Sequence, residues 1–413
     1  MPETLDPDKP TPQSNRVFDC LVLSGGGAKG AYGAGVAKAL ERFRKLKQIQ
    51  SHLCYIGTSA GALNAAVLAS GGADQLIRFW LSVTNRAVLG VRVRNFKFQA
   101  LIRWLTRTQP FAIYPNRALN RLISANVSLD SLKDKHVVVA TTDYSRGKLK
   151  AFYVSDLADT FLDADVKLPI ERRRLAHWRK VEDQNTLVRA LLASASIPVF
   201  FPPVKLQCRV KTDHGFINEA GWYVDGGVGN HTPTREAAYF LRYLEELNLG
   251  KAGEVYCVKQ DPPRMIEEGE HRFGASDIFK RTLDVYHYLH MEPIIKAWFR
   301  INVEVRDHSR RVDRFLEWLQ AQNLSPTVLK SISDRIVEGL GTLGGGTGRL
   351  SAPMTEIEPQ SSLGDTLDFE PRRISEHIKR GYSEMLAVLR HEKKINTTEY
   401  DELLNQPVFG GEL

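Results

Sequence analysis

Five consecutive residues, Gly57-Thr58-Ser59-Ala60-Gly61, have the types and spacing of a nucleophile elbow. In a G-x-S-x-G turn the chain passes from strand to helix so sharply that small residues must flank the serine. The turn pushes the hydroxyl out of the sheet edge. An apolar strand-like run, CYIG, precedes the turn, and an apolar helix-like run, ALNAAVLAS, follows it. A helix that begins at the serine aims unpaired N–H groups and its positive dipole end at the hydroxyl. The chemistry expected of Ser59 is nucleophilic attack on an acyl carbon.

A second run, Gly25-Gly26-Gly27-Ala28-Lys29-Gly30, follows the apolar stretch VFDCLVLS. A phosphate loop is excluded, because no G-K-[ST] follows. Gly25, Gly27 and Gly30 satisfy G-x-G-x-x-G, but a dinucleotide site needs an acidic residue about twenty positions on. The stretch KLKQIQSHLCYIG has none. An oxyanion hole needs only bare amides beside a nucleophile. Gly25, Gly26 and Gly27 are its candidates; a plain tight turn is the alternative. For the base, none of the eleven histidines has a telling context. His214 and His231 flank a turn, and His287 and His290 lie on a helical stretch. Asp225 is the better candidate. It ends the apolar strand WYV and precedes Gly226 and Gly227, which allow a sharp reversal. An ordinary Asp-Gly turn is the competing reading.

These groups need a scaffold. VFDCLVLS, the glycine run and GAYGAGVAKALERFRKL read as strand, turn and helix, and the elbow repeats that order. Two such units side by side predict a parallel sheet with helices packed on it. Residues 136–144 and 148–154 read as strands joined by a Ser-Arg-Gly turn. Residues 187–196 read as a helix stopped by Pro198, and 222–227 and 254–260 as further strands. Beyond about residue 262 the chain becomes charged, with helical patterns over 276–340 and 374–392. The cluster GGGTG at 344–348 reads as a loop. The expected fold is a three-layer α/β arrangement with a mainly parallel central sheet. Residues 1–16 form a disordered leader, 17–262 the catalytic core, and 263–413 a mainly helical extension packed on it.

GGGAKGAY, GTSAG and DGG, in that order, resemble the patatin-like phospholipase family. ASASIPVFFPPV at 193–204, and Asn230 and Pro233 after the DGG, are similar to its pattern too. LDFEPRRISEHIKRGY is more loosely similar to the closing segment of longer bacterial members. The resemblance covers about 17–262. It implies a lipid acyl hydrolase of phospholipase A or lysophospholipase type, working by a Ser59/Asp225 dyad through an acyl-serine. Gly25, Gly26 and Gly27 would hold the oxyanion, with Gly30, Gly57, Gly61, Gly226 and Gly227 as motif support. It implies a lipid substrate and neither metal nor organic cofactor. An acyl-transferring enzyme with the same dyad, or a non-catalytic membrane-associated scaffold, would carry the same motifs.

Length and composition bound these readings. The 413 residues are 43% hydrophobic and 25% charged, which suits a globular chain with a sizeable core. No apolar run approaches the ~20 residues of a membrane span. The opening MPETLDPDKPTPQSN has neither the basic nor the apolar part of a signal peptide. Cytoplasmic or peripheral-membrane location is expected. Cys20, Cys54, Cys208 and Cys257 lie far apart without metal-ligand spacing, and read as reduced core thiols. The net charge of +8 favours anionic partners. Between Asp74 and Asp130 nine basic residues are interleaved with aromatic ones, among them Phe79 and Trp80. An anionic membrane surface would suit that stretch. So would a helical pair with solvated arginines; nucleic acid is not expected. A second basic cluster, Arg172-Arg173-Arg174, reads as an exposed loop or a flap.

Overall fold

The computed structural model describes residues 15–90, 112–169, 173–212, 214–262, 285, 295–300, 314, 317 and 352–409. Most of the leader, most of 276–340, the cluster at 344–348, His287, His290, Arg172 and the middle of the basic stretch lie outside them. The strands are β1 (Val17–Leu23), β2 (His52–Thr58), β3 (His136–Asp143), β4 (Lys148–Val154), β5 (Trp178–Lys180), β6 (Val204–Thr212), β7 (Gly215–Asp225), β8 (Lys251–Val258) and β9 (Met354–Ile357). The α-helices are α1 (Gly30–Leu46), α2 (Ala60–Ser82), α3 (Asn85–Leu89), α4 (Arg117–Asn126), α5 (Ala158–Lys167), α6 (Gln184–Ser194), α7 (Thr234–Glu246), α8 (Pro371–His391) and α9 (Thr397–Leu404).

All nine strands join one sheet, in the order β5-β4-β3-β2-β1-β8-β9, with β7 pairing β3 and β6. β2, β1, β8 and β9 run parallel to their neighbours, as does β3 beside β2. β4 and β7 are antiparallel to β3. Alternation along the strands separates two cores. Leu21 and Leu23 of β1 face one, with Val137 and Val139 of β3; Phe18, Cys20 and Val22 face the other, with Val138. Helices α1, α2, α6 and α8 cover the first face, and α5 and α7 the second. Burying strands on both faces is what requires their near-continuous apolar runs. Each fully buried Leu, Val or Phe contributes about 1.5–3 kcal/mol.

Two differences from the sequence reading concern the site. The segment after 262 is not helical throughout: Met354–Ile357 forms β9 at the sheet's edge beside β8. Its parallel partner lies about a hundred residues earlier, so no local pattern marks it. Helix α2 is also longer than ALNAAVLAS, and it is broken at Gly71–Gly72, where Gly72 has φ 77°. The break redirects the second half, which carries Phe79 and Trp80. Both are buried, so these two members of the basic-aromatic stretch serve the core. Arg173 and Arg174 are likewise pinned: Arg173 donates to the carbonyls of Val166 and Leu168, and Arg174 pairs with Glu246. All four cysteines are buried and unpaired.

Candidate active site

Ser59 follows β2 directly and caps α2 with φ 56° and ψ −126°, outside the regions open to most L-residues. The flanking residues must be glycine for steric reasons. A Cβ on Gly57 would lie 2.1 Å from the Gly61 carbonyl oxygen, and one on Gly61 would lie 2.2 Å from that of Leu23. The Ser59 amide donates to Ser194 Oγ (2.9 Å), which donates onward to the Ala140 carbonyl (2.6 Å). The elbow is thereby tied to both α6 and β3.

Sheet register brings Asp225 to the same spot. β2 runs along one edge of β3 and stops with Thr58 opposite Ala140. The other edge of β3 is taken by β4. β7 arrives from the opposite direction and takes up the vacated edge, ending with Asp225 opposite Thr141. Two chain ends therefore abut on adjacent rungs, with Ser59 next after one and Asp225 at the end of the other. Gly226 and Gly227 turn the chain away, and the Gly227 amide donates to Asp225 Oδ1 (2.7 Å). The Asp225 amide donates to the Ser196 carbonyl at 2.9 Å.

Asp225 is 5% exposed, and its Oδ2 is buried without a hydrogen-bonding partner among the described residues. Burial pushes the carboxyl up to about 6, against the opposing pull of the Ser59 hydroxyl, the Gly227 amide and His231. A carboxylate so placed holds a proton far better than one in water.

The glycine loop after β1 lies on the other side of Ser59. A Cβ on Gly25 would sit 3.3 Å from Ser59 Cβ. The Gly25 amide is spent on the His231 carbonyl (3.1 Å), whereas the Gly26 and Gly27 amides have no protein acceptor among the described residues. Gly27 has φ 56°, and a Cβ there would lie 2.2 Å from the Thr366 carbonyl oxygen. That carbonyl accepts the Ala28 amide at 2.8 Å. Gly30 opens α1 against the Trp80 ring, where a Cβ would lie 2.7 Å away.

Apart from Lys29, which stands in the glycine run beside Gly30, several side chains at the site carried no signal in the sequence. Lys29 pairs with Asp261 (2.8 Å), whose other oxygen lies 3.7 Å from His231 Nε2. Burial would raise the Asp261 carboxyl, but Lys29 and His231 more than offset this and hold it well below the usual carboxylate range. Gln260 donates to the Ser24 carbonyl (2.9 Å) beneath the glycine loop. Buried Asn64 donates to the Gly30 carbonyl (2.8 Å) and accepts from Trp80 Nε1 (2.7 Å), fixing α1 to the redirected half of α2. His231 was visible only as one histidine near a turn. Asp261, Gln260 and Thr366 are distant in sequence from every motif.

Two spaces open at Ser59. One is a cleft lined by Gly25, Gly26, Gly27, Lys29, Asp225, His231 and Asp261, among others. The other is lined almost wholly by apolar groups, including Leu63, Phe79, Trp80, Leu119, Phe201 and Phe369. Ser59, Gly27, Ile197 and Leu367 line both. A hydroxyl, a buried carboxylate and free amides at the mouth of an apolar space can together receive an acyl group and transfer it.

The chain is similar to several known proteins. The uncharacterised protein YqhO of Bacillus subtilis is 31% identical over 216 residues, covering 51% of this chain and 64% of that protein. A cGAMP-activated phospholipase of Pseudomonas aeruginosa is 27% identical over 219 residues, covering 52% of this chain and 54% of its own length. The matches thus span less than two thirds of either relative. Among solved structures, VipD from Legionella pneumophila is similar with a TM-score of 0.32 and 13% identity, over 92% of this chain and 67% of that one. A likeness that faint carries no weight here. The family model described as patatin-like phospholipase matches residues 21–238, more than half of the chain. The chain belongs to the patatin-like phospholipase family.

Proposed function

We propose that this chain is a lipid acyl hydrolase in which Ser59 is the nucleophile and Asp225 the base. The observation that carries this is the junction on β3, where the ends of β2 and β7 meet at the mouth of the apolar space. Asp225 takes the Ser59 proton as Oγ bonds to the ester carbon. The amides of Gly26 and Gly27 hold the oxyanion; the expected third donor, Gly25, is committed to His231. The bond to the alcohol then breaks, and Asp225 gives that oxygen its proton. Water repeats the sequence on the acyl-Ser59 ester: it loses a proton to Asp225, bonds to the acyl carbon, and Oγ leaves with the proton. The products are an alcohol and a carboxylic acid. Nothing in these steps calls for a metal or an organic cofactor.

The substrate class follows from the apolar space, which suits an acyl chain, and from the family. Peripheral contact with a membrane surface belongs to the same proposal. Of eight large hydrophobic side chains exposed among the described residues, five (Tyr144, Val199, Phe216, Ile217 and Trp222) lie on the β6–β7 hairpin or beside its root. Only Tyr223, Val224 and Asp225 of β7 pair with β3, and the rest of the hairpin extends beyond that edge. Arg209 and Lys211 stack on Phe216, although each also pairs with an acid, Glu182 and Asp163. No helix among the described residues is long and apolar enough to cross a membrane.

The test is covalent labelling by a fluorophosphonate together with hydrolysis of a lipid panel. The native chain should label and hydrolyse; Ser59→Ala should do neither while keeping its circular dichroism spectrum. Full hydrolysis by Ser59→Ala would end the proposal.

A further inference from the structure

The apolar space beside Ser59 has one wall that comes from far beyond the family match, which ends at residue 238. Leu367 and Phe369 supply that wall. Leu367 lines both the polar cleft and the apolar space, so it stands at their junction; Phe369 lines only the apolar space. Facing them are Phe79 and Trp80 on the redirected half of α2, held by Asn64.

This wall is fixed in place. The Thr366 carbonyl accepts the Ala28 amide at 2.8 Å, which ties the segment to the glycine loop one residue before Leu367. The Leu367 amide donates to Asp365 Oδ1 (2.9 Å), and the Phe369 amide to Asn85 Oδ1 (3.2 Å) at the start of α3. Two residues later α8 begins, packed backbone to backbone on α1. A Cβ on Gly381 would lie 2.0 Å from the Tyr32 carbonyl oxygen, and one on Gly35 would lie 1.9 Å from that of Ile378. Such contact leaves α8 no freedom to slide along α1, so the gap between Phe369 and α2 is set by the fold. An apolar wall at a fixed distance discriminates by size: one methylene more or less changes selectivity about 10–200-fold.

We infer that Leu367 and Phe369 are specificity-determining residues that set which acyl group this chain accepts. The acyl chain runs from Ser59 past Leu367 and ends against Phe369. This rests on the acyl-hydrolase reading for its catalytic consequence, but not for its binding consequence, and the two are measured separately. Binding is read by calorimetry of linear fatty acids of increasing length to Ser59→Ala, with and without a change at Phe369. Catalysis is read as relative kcat/KM over a matching series of esters.

Phe369→Ala and the milder Phe369→Leu should move both optima to longer chains, raising the preference for long over short about tenfold or more. Phe369→Trp should move them the other way. Met385→Ala, a truncation on α8 that is buried but lines neither space, should leave the preference unchanged. An unchanged preference in all three Phe369 variants overturns the inference. So does an equal shift in Met385→Ala, which would reduce the effect to loosened packing. Fatty-acid binding that follows Phe369 in a chain that hydrolyses no ester would sink the hydrolase reading and leave this one standing.

Discussion

Replacing Asp225 with asparagine should abolish turnover and yet stabilise the fold, and the second effect should depend on pH. Asparagine keeps an oxygen for the Gly227 amide and removes the buried charge. The cost of that charge follows from the carboxyl's position, about 6 rather than the ordinary 3.8, raised by burial. At about 1.4 kcal/mol per pH unit this is about 3 kcal/mol. Because the folded chain holds this proton more tightly than the unfolded chain, stability falls as pH rises from about 3.8 to about 6. Below that window both states are protonated and the cost vanishes; above it the cost is complete.

Thermal melts of the native chain and Asp225→Asn, compared at matched pH, isolate this contribution. An unfolding entropy of ~2.1 cal/mol/K per residue over 413 residues converts about 3 kcal/mol into about 3–4 °C. The variant should melt higher by that amount at pH 8 and hardly higher at pH 3, below the window. In the native chain, kcat/KM should fall about tenfold per unit as pH drops below about 6, as the base becomes protonated. An asparagine variant that melts below the native chain at pH 8, or a gap of equal size at both ends, would refute the buried-base reasoning.

Three further outcomes follow. Ser59→Gly and Ser59→Ala should both be inactive, but the glycine variant should be about 1 kcal/mol more stable in denaturant melts, because it relieves the backbone at φ 56°. Gly27→Ala should lower kcat about 10²–10³-fold with little change in KM, since a new Cβ against the Thr366 carbonyl displaces an oxyanion donor. Phe216→Ser with Trp222→Ser should cut turnover on phospholipid vesicles relative to a soluble short-chain ester by about tenfold or more, at ~1.5–3 kcal/mol for each ring withdrawn from an interface.

What the sequence revealed was what local geometry dictates. Gly57 and Gly61 were readable because an elbow that tight admits no other residue. β1, α1, β2 and α6 were readable because burial on one or two faces imposes a period. Asp225 was half readable: a strand end before two glycines can be seen, but an Asp-Gly turn looks the same. What distinguishes them is that β7 fills the edge of β3 that β2 leaves vacant, a register between segments more than eighty residues apart. β9 and the pairing of Lys29 with Asp261 were hidden for the same reason.

The glycine loop shows how far the site depends on such long-range contacts. β1 lies between β2 and β8, so the loop at its end is exposed to whatever follows each neighbour. After β2 comes Ser59. After β8 come Gln260, which supports the loop through the Ser24 carbonyl, and Asp261, which holds Lys29. From beyond β9 comes Thr366, which fixes Ala28. The motif supplies small residues and bare amides; two segments remote from it, after β8 and beyond β9, determine where those amides point. A chain cut after the family match at residue 238 would keep Ser59, Asp225 and all the glycines of the motifs. It would lose β8, a neighbour of β1 in the sheet, and every one of those supports. Such a piece should therefore fail to hydrolyse esters even though both members of the proposed dyad are present. If it folds and turns over like the whole chain, the loop needs no outside support and the account of the site given by its geometry is wrong.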